Sequence, residues 1–344
     1  MSQADRLRGR APGKRHNART IAALTANPGC TRRAVLDAAG VDKPALAQRI
    51  GFPGSFGQSR FALARGNAFE AMLKADDGAL LRATIGIPDI SVSYDDLGDD
   101  ADGTLDARHR RTRELLDSGR TALIDHPLLT LEVAGQTVYL EPDLIAFQRE
   151  GRLQVVEIKS FAVIDGQADA AKVSAAAVQA AVYVLALRRL LGDDRVSHEV
   201  VLVAPANFSM SPVAVVLDVR KQLATLRRQL SRLASVPSLI AALPPDVAFD
   251  LALPVPDLLA SVATLTARYA PECLSVCEMS VYCRHEAAGT TAALGRPVRE
   301  ALGGVETIAD VLGLAGGTLT PTEEQTEAAA LLRAALRLRN EALS

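Results

Sequence analysis

Two acidic residues and a lysine occur in a pattern that can hold a metal ion. Asp143 follows Pro142 at the start of an apolar run, and Glu157 and Lys159 alternate with Val and Ile in a second run. Side chains two apart on a strand share one face, so Glu157 and Lys159 project together. A hairpin over residues 138–161 brings Asp143 beside them. Charged groups on such an apolar strand face must be paired or must bind metal.

A divalent ion such as Mg²⁺ or Mn²⁺ suits this set of ligands, because hard cations prefer carboxylate oxygens. Such an ion lowers the pKa of a bound water and stabilises the leaving oxygen of a phosphodiester. Lys159 would orient that water or offset charge that develops on the phosphate. The alternative interpretation is a surface hairpin with a solvated Glu–Lys pair.

The helix that follows this hairpin supplies two polar groups. Residues 173–191 are apolar almost all round, which predicts a buried helix. Gln179 and Tyr183 are the polar exceptions, and their spacing of four places them on one face. A buried helix that presents two hydrogen-bonding side chains to one place indicates a site there.

These three motifs together resemble the PD-(D/E)XK nuclease superfamily, and specifically its RecB-like branch, over residues 28–286. The resemblance implies an α/β protein with a restriction-endonuclease-like core, which is a mixed sheet flanked by helices that include residues 61–76 and 173–191. It also implies a metal site in which the backbone carbonyl of Ile158 assists the carboxylates. Gln179 and Tyr183 would position the metal ligands or the DNA strand. The residues that match the motifs are Pro142, Asp143, Glu157, Ile158, Lys159, Gln179 and Tyr183.

A third carboxylate is predicted upstream of the hairpin. Gly66 and Glu70 lie four apart in a segment with helical periodicity, residues 61–75. A mid-helix glycine costs up to about 1 kcal/mol relative to alanine, so close packing against another backbone would explain it. The RecB-like branch carries Gly-x3-His or Gly-x3-Glu here, which makes Glu70 a metal ligand by resemblance. An ordinary exposed helix residue is the alternative.

Four cysteines form a second candidate metal site. Three of them lie within eleven residues with the spacing Cys-x3-Cys-x5-Cys, and the fourth is far upstream. Four thiolates suit an iron–sulfur cluster or zinc, and unliganded thiols are the further alternative. The arrangement resembles the CRISPR-associated RecB-like exonucleases and AddB-type nucleases, which implies a [4Fe–4S] cluster, although the family's trio is Cys-x2-Cys-x5-Cys. The residues are Cys30, Cys273, Cys277 and Cys283.

The charge distribution limits how the chain can contact nucleic acid. The net charge of −2 excludes a globally basic surface, and 4% aromatic residues without Trp argue against binding by base stacking alone. A helix over residues 219–233 carries a basic stripe that is either a track for phosphates or a solvated face. The stripe consists of Arg220, Lys221, Arg227, Arg228 and Arg232.

The remaining segments complete the predicted organisation. Residues 1–20 are predicted to be a basic, disordered arm, with phosphate contact as the alternative. Residues 21–290 are predicted to form the core, and the four-cysteine site joins the two ends of this core as a metal-bound subdomain. Residues 291–344 form a helical appendage. Strands are expected at 198–203 and 212–217. The acidic stretch around residues 95–102 is expected to be a solvated loop.

Other features of the sequence limit its location and the roles of its histidines. His109 and His126 have no ligand-spaced partner, so neither receives a role. No uncharged apolar run is long enough to span a membrane, and the Arg-rich start is not followed by an apolar region. A cytoplasmic protein without disulfides and without a membrane partner is therefore expected.

By resemblance, the expected activity is that of a Mg²⁺- or Mn²⁺-dependent deoxyribonuclease. An exonuclease that acts on single-stranded or end-containing DNA is favoured, in DNA repair, recombination or anti-phage immunity, with a helicase or an immunity-complex protein as partner. One alternative is a catalytically silent DNA-binding or scaffold protein that retains the nuclease fold. Another is a zinc-stabilised regulatory protein.

Overall fold

In the computed structural model, the described residues form eight strands in two sheets. The structure describes residues 3–14, 16–27, 29–54, 60–87, 92–98, 104–120, 122–147, 151–207, 209–232 and 236–343. The strands are β1 (Ser93–Asp96), β2 (Ala122–Asp125), β3 (Leu129–Val133), β4 (Gln136–Leu140), β5 (Leu144–Phe147), β6 (Leu153–Ile158), β7 (Glu199–Pro205) and β8 (Pro212–Asp218).

The larger sheet has six strands in the order β1-β2-β5-β6-β7-β8. β1 and β2 are parallel, as are β6 and β7, and the other neighbouring strands are antiparallel. β3 and β4 form a separate antiparallel hairpin. The prediction of a mixed sheet flanked by helices is therefore confirmed.

Fifteen α-helices are described around these sheets. The first eight are α1 (Gln3–Arg8), α2 (Ala18–Ala26), α3 (Thr31–Ala38), α4 (Lys43–Arg49), α5 (Arg60–Thr84), α6 (Leu105–Asp117), α7 (Ala170–Leu191) and α8 (Arg220–Arg232). The others are α9 (Val236–Ala241), α10 (Val255–Ala263), α11 (Cys273–Val276), α12 (Ser280–Glu286), α13 (Arg296–Ala301), α14 (Ile308–Gly316) and α15 (Thr326–Leu343).

The two faces of the large sheet pack against different helices. Ile145 and Val155 belong to the core shared with α7, whereas Leu144 and Val156 belong to the core shared with α5. Side chains alternate between faces along each strand, so one strand pair contributes to both cores.

Helix α7 is the central buried helix, as the sequence predicts. It contacts α2, α8, β6 and β3, and ten of its residues are buried. Among the described helices it is the one long and apolar enough to cross a membrane by length and composition. Because α7 lies inside the core, its apolar character is explained by packing.

Helix α5 is interrupted near its middle. Residues Ala75 to Gly78 have non-helical backbone angles, and three of them lie in the left-handed region. A methyl group on Gly78, whose φ is +70°, would lie 2.7 Å from the ring of Tyr94. Glycine is therefore required here both for its φ and for this close approach.

The hairpin over residues 138–161 differs in detail from the prediction. Leu140 ends β4 in the small sheet, and β5 begins at Leu144. Residues 148–150, at the predicted turn, lie outside the described residues. The pairing of β5 with β6 is nevertheless the predicted one, with Leu144 opposite Val156.

The prediction that residues 1–20 are disordered is wrong for the residues described there. Residues 3–8 form α1, in which Leu7 is fully buried. The backbone N–H of Phe249 donates to the carbonyl of Leu7, and Arg6 donates to the carbonyl of Pro245 at 2.6 Å. The partners of this segment thus lie about two thirds of the chain away in sequence, where no local pattern reveals them.

Helices beyond residue 235 complete the structure. The Pro-rich segment 237–256 includes most of α9. At the C-terminal end, α14 and α15 enclose a small separate core of Val305, Leu314 and Ala329. The final helix begins at Thr326, and a 3-10 turn at Glu323–Gln325 precedes it.

Candidate active site

Asp143 lies next to Glu157 because of the register between β5 and β6. The pairing of Leu144 with Val156 places Asp143, one residue before β5, opposite Glu157. Oδ2 of Asp143 accepts a hydrogen bond of 2.6 Å from the backbone N–H of Ile158. The structure therefore brings together Asp143 and Glu157, the two carboxylates predicted from the sequence.

Glu157 is the most buried charged group of this set. It is 1% exposed, and its Oε2 has no hydrogen-bond partner, while its Oε1 pairs with the ammonium of Lys159. Burial raises the pKa of Glu157 to about 7, although the charge of Lys159 opposes this rise. Burial likewise raises the pKa of Asp143, against the charge of Lys159 and the hydrogen bond from Ile158.

The side chain of Lys159 lies close to the carboxylates of both Glu157 and Asp143. Its backbone N–H donates to the carbonyl of Val203, so the ladder with β7 continues one residue past β6. Burial alone would lower the pKa of Lys159, but the charges of Glu157 and Asp143 outweigh this effect and raise it. Lys159 is thus held as an ammonium beside two acidic groups.

Gln179 and Tyr183 lie on the same face of α7, as predicted. The amide of Gln179 donates to the Tyr183 hydroxyl at 3.2 Å. Burial raises the pKa of Tyr183, and the charge of Glu157 adds to this rise. Tyr183 therefore lies close enough to Glu157 for the two groups to interact electrostatically. Its hydroxyl stays neutral beside Asp143 and Glu157.

Glu70 approaches the site from α5, which packs on the opposite face of the sheet from α7. Its charge raises the pKa of both Asp143 and Glu157, so the three carboxylates interact. Oε1 of Glu70 contacts the ammonium of Lys74 at 2.6 Å. Gly66 also faces this region, since a methyl group there would meet Oγ of Ser160 at 3.4 Å.

A polar cluster that sequence reasoning missed adjoins Glu70. The ammonium of Lys74 lies 2.7 Å from Oδ1 of Asp125, whose Oδ2 accepts from the Tyr94 hydroxyl at 2.6 Å. His126 Nδ1 lies 3.2 Å from Asp96 Oδ1 and 3.3 Å from Asp125 Oδ1. His126, which received no role from the sequence, therefore belongs to a site adjacent to Glu70.

The cluster depends on strand pairing over a long sequence separation. Asp96 is opposite Asp125 in the parallel β1–β2 register, and His126 follows β2 with a φ of +47°. Asp96 thus lies at the end of a strand, whereas the sequence predicted a solvated loop. Asp99, Asp100 and Asp102 lie outside the described residues.

The Asp143–Glu157 site offers two ligands of the type that a hard divalent ion prefers, and such an ion takes its other ligands from water or substrate. Two carboxylates converge, a third lies nearby, and a buried oxygen of Glu157 lacks a hydrogen-bond partner. Carboxylate oxygens are the protein ligands that Mg²⁺ and Mn²⁺ prefer. The residues present therefore fit such an ion.

All four cysteines are buried free thiols, and they come from both ends of the described chain. Cys30 immediately precedes α3, while Cys273 begins α11 and Cys283 lies in α12. Burial raises the pKa of Cys283 to about 12, and the charges of Cys277 and Cys30 add to this rise. These three thiols are thus near neighbours in the fold.

Cationic and polar donors surround the thiols. Arg32, which is 3% exposed, has its Nη1 at 3.3 Å from Sγ of Cys283 and ion-pairs with Glu286. Asn27 Nδ2 lies 3.5 Å from Sγ of Cys273. A buried guanidinium beside a thiol stabilises the thiolate, so the residues fit a thiolate-bound metal centre.

Neither three of the cysteines nor the set Glu70, Asp143 and Glu157 forms the tightest group of candidate metal ligands. Among the residues that the structure describes, the group whose ligand atoms all lie within 4.8 Å of one another is Asp96, Asp125 and His126; no three cysteines satisfy this limit.

The predicted basic stripe on α8 divides into three groups. Arg220 pairs with Asp218 at 2.5 Å and Arg227 with Asp193 at 2.9 Å, so both carry a local counter-charge. Lys221 instead lines a cavity of about 1000 Å³ that reaches Lys159. Arg228 and Arg232 are exposed and do not line that cavity, and Leu233 lies outside the described residues.

The comparisons with known proteins give little beyond this geometry. No family model matches the chain, and no curated protein matches it. The crystal structure of SSO0001 is similar with a TM-score of 0.23 and 14% sequence identity, over 57% of this chain and 84% of that one. A likeness at this level carries no argument, so the functional conclusion depends on the site itself.

Proposed function

We propose that this chain is a Mg²⁺- or Mn²⁺-dependent nuclease that hydrolyses phosphodiesters of DNA. The observation that carries the proposal is the pairing of Asp143 and Glu157 on adjacent strands, with Lys159 on the same face and one buried Glu157 oxygen unpartnered. The ammonium of Lys159 can balance only one of the two carboxylates, so an ion pair alone does not explain why Asp143 and Glu157 lie together. A divalent ion supplies the missing positive charge.

The residues would divide the work in a defined way. Asp143 and Glu157, assisted by Glu70 and by the backbone of Ile158, would hold the ion, which when bound acidifies a water and polarises the phosphodiester. Lys159 would orient the attacking water or stabilise charge on the phosphate. Gln179 and Tyr183 would position these groups from α7.

The resemblance to RecB-like nucleases favours an exonuclease that takes single-stranded or end-containing DNA. A role in DNA repair, recombination or anti-phage immunity, with a helicase or an immunity-complex protein as partner, follows from the same resemblance. A catalytically silent DNA-binding or scaffold protein remains the second candidate. A cytoplasmic location agrees with both.

For the cysteines we propose a structural [4Fe–4S] cluster, with zinc as the alternative. The support is that four buried thiols come from both ends of the described chain and that three of them are near neighbours, which matches a four-thiolate ligand set. Arg32 and Asn27 would donate hydrogen bonds to its sulfur ligands. The cluster would join α3 to the segment that contains α11 and α12.

The decisive experiment is hydrolysis of labelled single-stranded DNA with Mg²⁺ or Mn²⁺. Wild type is compared with Asp143→Asn, which keeps the shape but removes the charge, and with Asp117→Asn, an exposed carboxylate on α6. We expect Asp143→Asn to lose at least about 100-fold in rate, because an ion of this kind supplies several kcal/mol, and Asp117→Asn to match wild type. Equal rates in all three would reject the assignment, and DNA binding without hydrolysis would favour the scaffold alternative.

A further inference from the structure

A cleft beside Lys159 is built from parts of the chain that are distant in sequence. Helix α2, the start of α5, α7 and α8 surround it, and Ser275 with Val276 closes one end. Its volume is about 1000 Å³. Lys159 and Gln179 line it, so the cleft leads to the candidate active site.

The charges in this cleft have one sign. Beyond Lys159 it is lined by Arg19, Arg65, Lys172 and Lys221, and none of the described residues that line it is acidic. The four cations come from four different helices of a chain whose net charge is −2. The concentration of positive charge is therefore a property of the fold and not of the composition.

The rest of the lining combines polar side chains such as Ser160, Gln179 and Thr225 with apolar ones, and it includes one aromatic ring. Phe161, Ala22 and Val276 are among its apolar residues. Positive side chains that follow a phosphate backbone, together with an aromatic ring on which a base stacks, are the features that bind unpaired polynucleotide strands. A small anion would need the cations but not the apolar wall.

The size of the cleft decides between one strand and two. About 1000 Å³ is at the upper end of the range for small-molecule sites, about 300–1,000 Å³. That space holds a short stretch of unpaired strand, whereas a single turn of duplex DNA is about 34 Å long and carries two strands.

We propose that this cleft binds one unpaired polynucleotide strand, with Arg19, Arg65, Lys172 and Lys221 on its phosphates and Phe161 against a base. The assignment deepens the proposed function, because it names the surface and the residues that deliver the strand to Lys159. In this assignment the cleft, and not Arg227 and Arg228 of the α8 stripe, contacts the polynucleotide. Lys221 is the member of that stripe that takes part.

The test measures binding without hydrolysis. The fluorescence anisotropy of a short labelled oligothymidylate is recorded in EDTA over a series of salt concentrations. Each neutralised phosphate contributes about 0.7 to the slope of log affinity against log salt for single strands. Each single change to Gln is therefore expected to lower the slope by about 0.7, and the fourfold variant by about 3.

Two further variants make the test specific. Arg228→Gln removes one cation from the same helix as Lys221 but outside the cleft, and it should leave the slope unchanged. Phe161→Leu should weaken binding about tenfold without changing the slope, because stacking does not release counterions. Circular dichroism and thermal unfolding confirm that every variant folds.

The possible outcomes separate this inference from the proposed function. An unchanged slope in the fourfold variant, or an equal loss in Arg228→Gln, overturns the cleft assignment even if hydrolysis depends on Asp143. Blunt duplex that binds as tightly as the single strand, with the same dependence on the four cations, overturns the single-strand part. Cleft-dependent binding without metal-dependent hydrolysis supports the cleft and rejects the nuclease.

Discussion

Oδ2 of Asp143 accepts a 2.6 Å hydrogen bond from the backbone N–H of Ile158. This bond ties a carboxylate at the start of β5 to the strand that carries Glu157. The geometry of the site therefore depends on the register of two strands and not on a flexible loop. A slip of one residue would move Asp143 to the other face of the sheet.

Lys159→Met should separate chemistry from metal binding. The variant removes a cation beside Glu157 and Asp143, so its affinity for Mn²⁺ should equal or exceed that of wild type. Its rate of DNA hydrolysis should fall at least about 100-fold, because charge stabilisation in the transition state is lost. Calorimetric titration with Mn²⁺ and a hydrolysis assay measure the two quantities, with Arg228→Gln as the control. A loss of Mn²⁺ binding would contradict the role given to Lys159.

The metal-free protein should lose stability as the pH rises. The pKa of Glu157 is raised from 4.5 to about 7 in the folded state, so folding favours its protonated form. That contribution is complete below pH 4.5 and is lost as the pH rises through about 7. Thermal unfolding in EDTA from acidic to mildly alkaline pH measures the trend, and Glu157→Gln should flatten it. An equal slope in wild type and variant would assign the trend to other groups.

Mn²⁺ binding should show the opposite dependence on pH. The ion requires an ionised Glu157, so its apparent affinity should rise about tenfold between about pH 6 and about pH 8, with release of a proton. Titration calorimetry in two buffers of different ionisation enthalpy detects that proton. An affinity that does not change with pH would show that Glu157 is not a ligand.

Each of the four cysteines should be needed for the metal centre. Cys30→Ser and Cys283→Ser should both lose metal and unfold at a lower temperature than wild type, because the centre joins distant segments. Iron, sulfide and zinc analysis of anaerobically purified protein measures the metal, and visible absorbance distinguishes a cluster from zinc. Leu274→Ala, an exposed change between two of the cysteines, serves as the control. Full metal content in Cys30→Ser would remove that residue from the ligand set.

Gly78→Ala should destabilise the protein more than Gly86→Ala. Both glycines have a left-handed φ, but only Gly78 has the Tyr94 ring where a methyl group would be placed. The free energy of unfolding should fall by about 1–2 kcal/mol in both variants, because alanine is strained at this backbone conformation. In Gly78→Ala it should fall by about 1–3 kcal/mol more, because the added methyl group overpacks against Tyr94. Urea denaturation measures the difference. Equal losses would show that the ring moves aside freely.

Lys74→Met should destabilise the fold by about 3–5 kcal/mol, because it leaves the buried Asp125 without its cation. The double variant Lys74→Met/Asp125→Asn should recover part of the loss, since no uncompensated charge remains. Urea denaturation in EDTA measures both variants. A double variant that is less stable than the single one would show that the ion pair itself stabilises the fold.

Local patterns in the sequence predict the parts of the site that lie close together in the chain. The spacing of Glu157 and Lys159 requires a shared strand face, and Gln179 with Tyr183 requires a shared helix face. Asp143 joins them through a short hairpin. These relationships follow from the strand and helix periods alone.

Contacts between distant segments leave no such pattern. Asp96 and His126 meet because β1 pairs with β2, and Lys74 reaches them from a helix that packs on the sheet. Leu7 is a single apolar residue among charged ones, and its burial depends on residues near Phe249. The pairing of Arg227 with Asp193 was also hidden, because the two residues lie 34 positions apart in the chain.

The backbone N–H of Arg32 donates to the carbonyl of Thr266, and the side chain of Arg32 reaches Cys283 and Glu286. During synthesis on a ribosome, α2 and α3 emerge long before these partners exist. The contacts that fix α3 therefore form only after the segment from Thr266 to Glu286 has been made. A nascent chain that ends before Cys283 would carry Asp143 and Glu157 while Arg32 still lacks its contacts with Cys283 and Glu286.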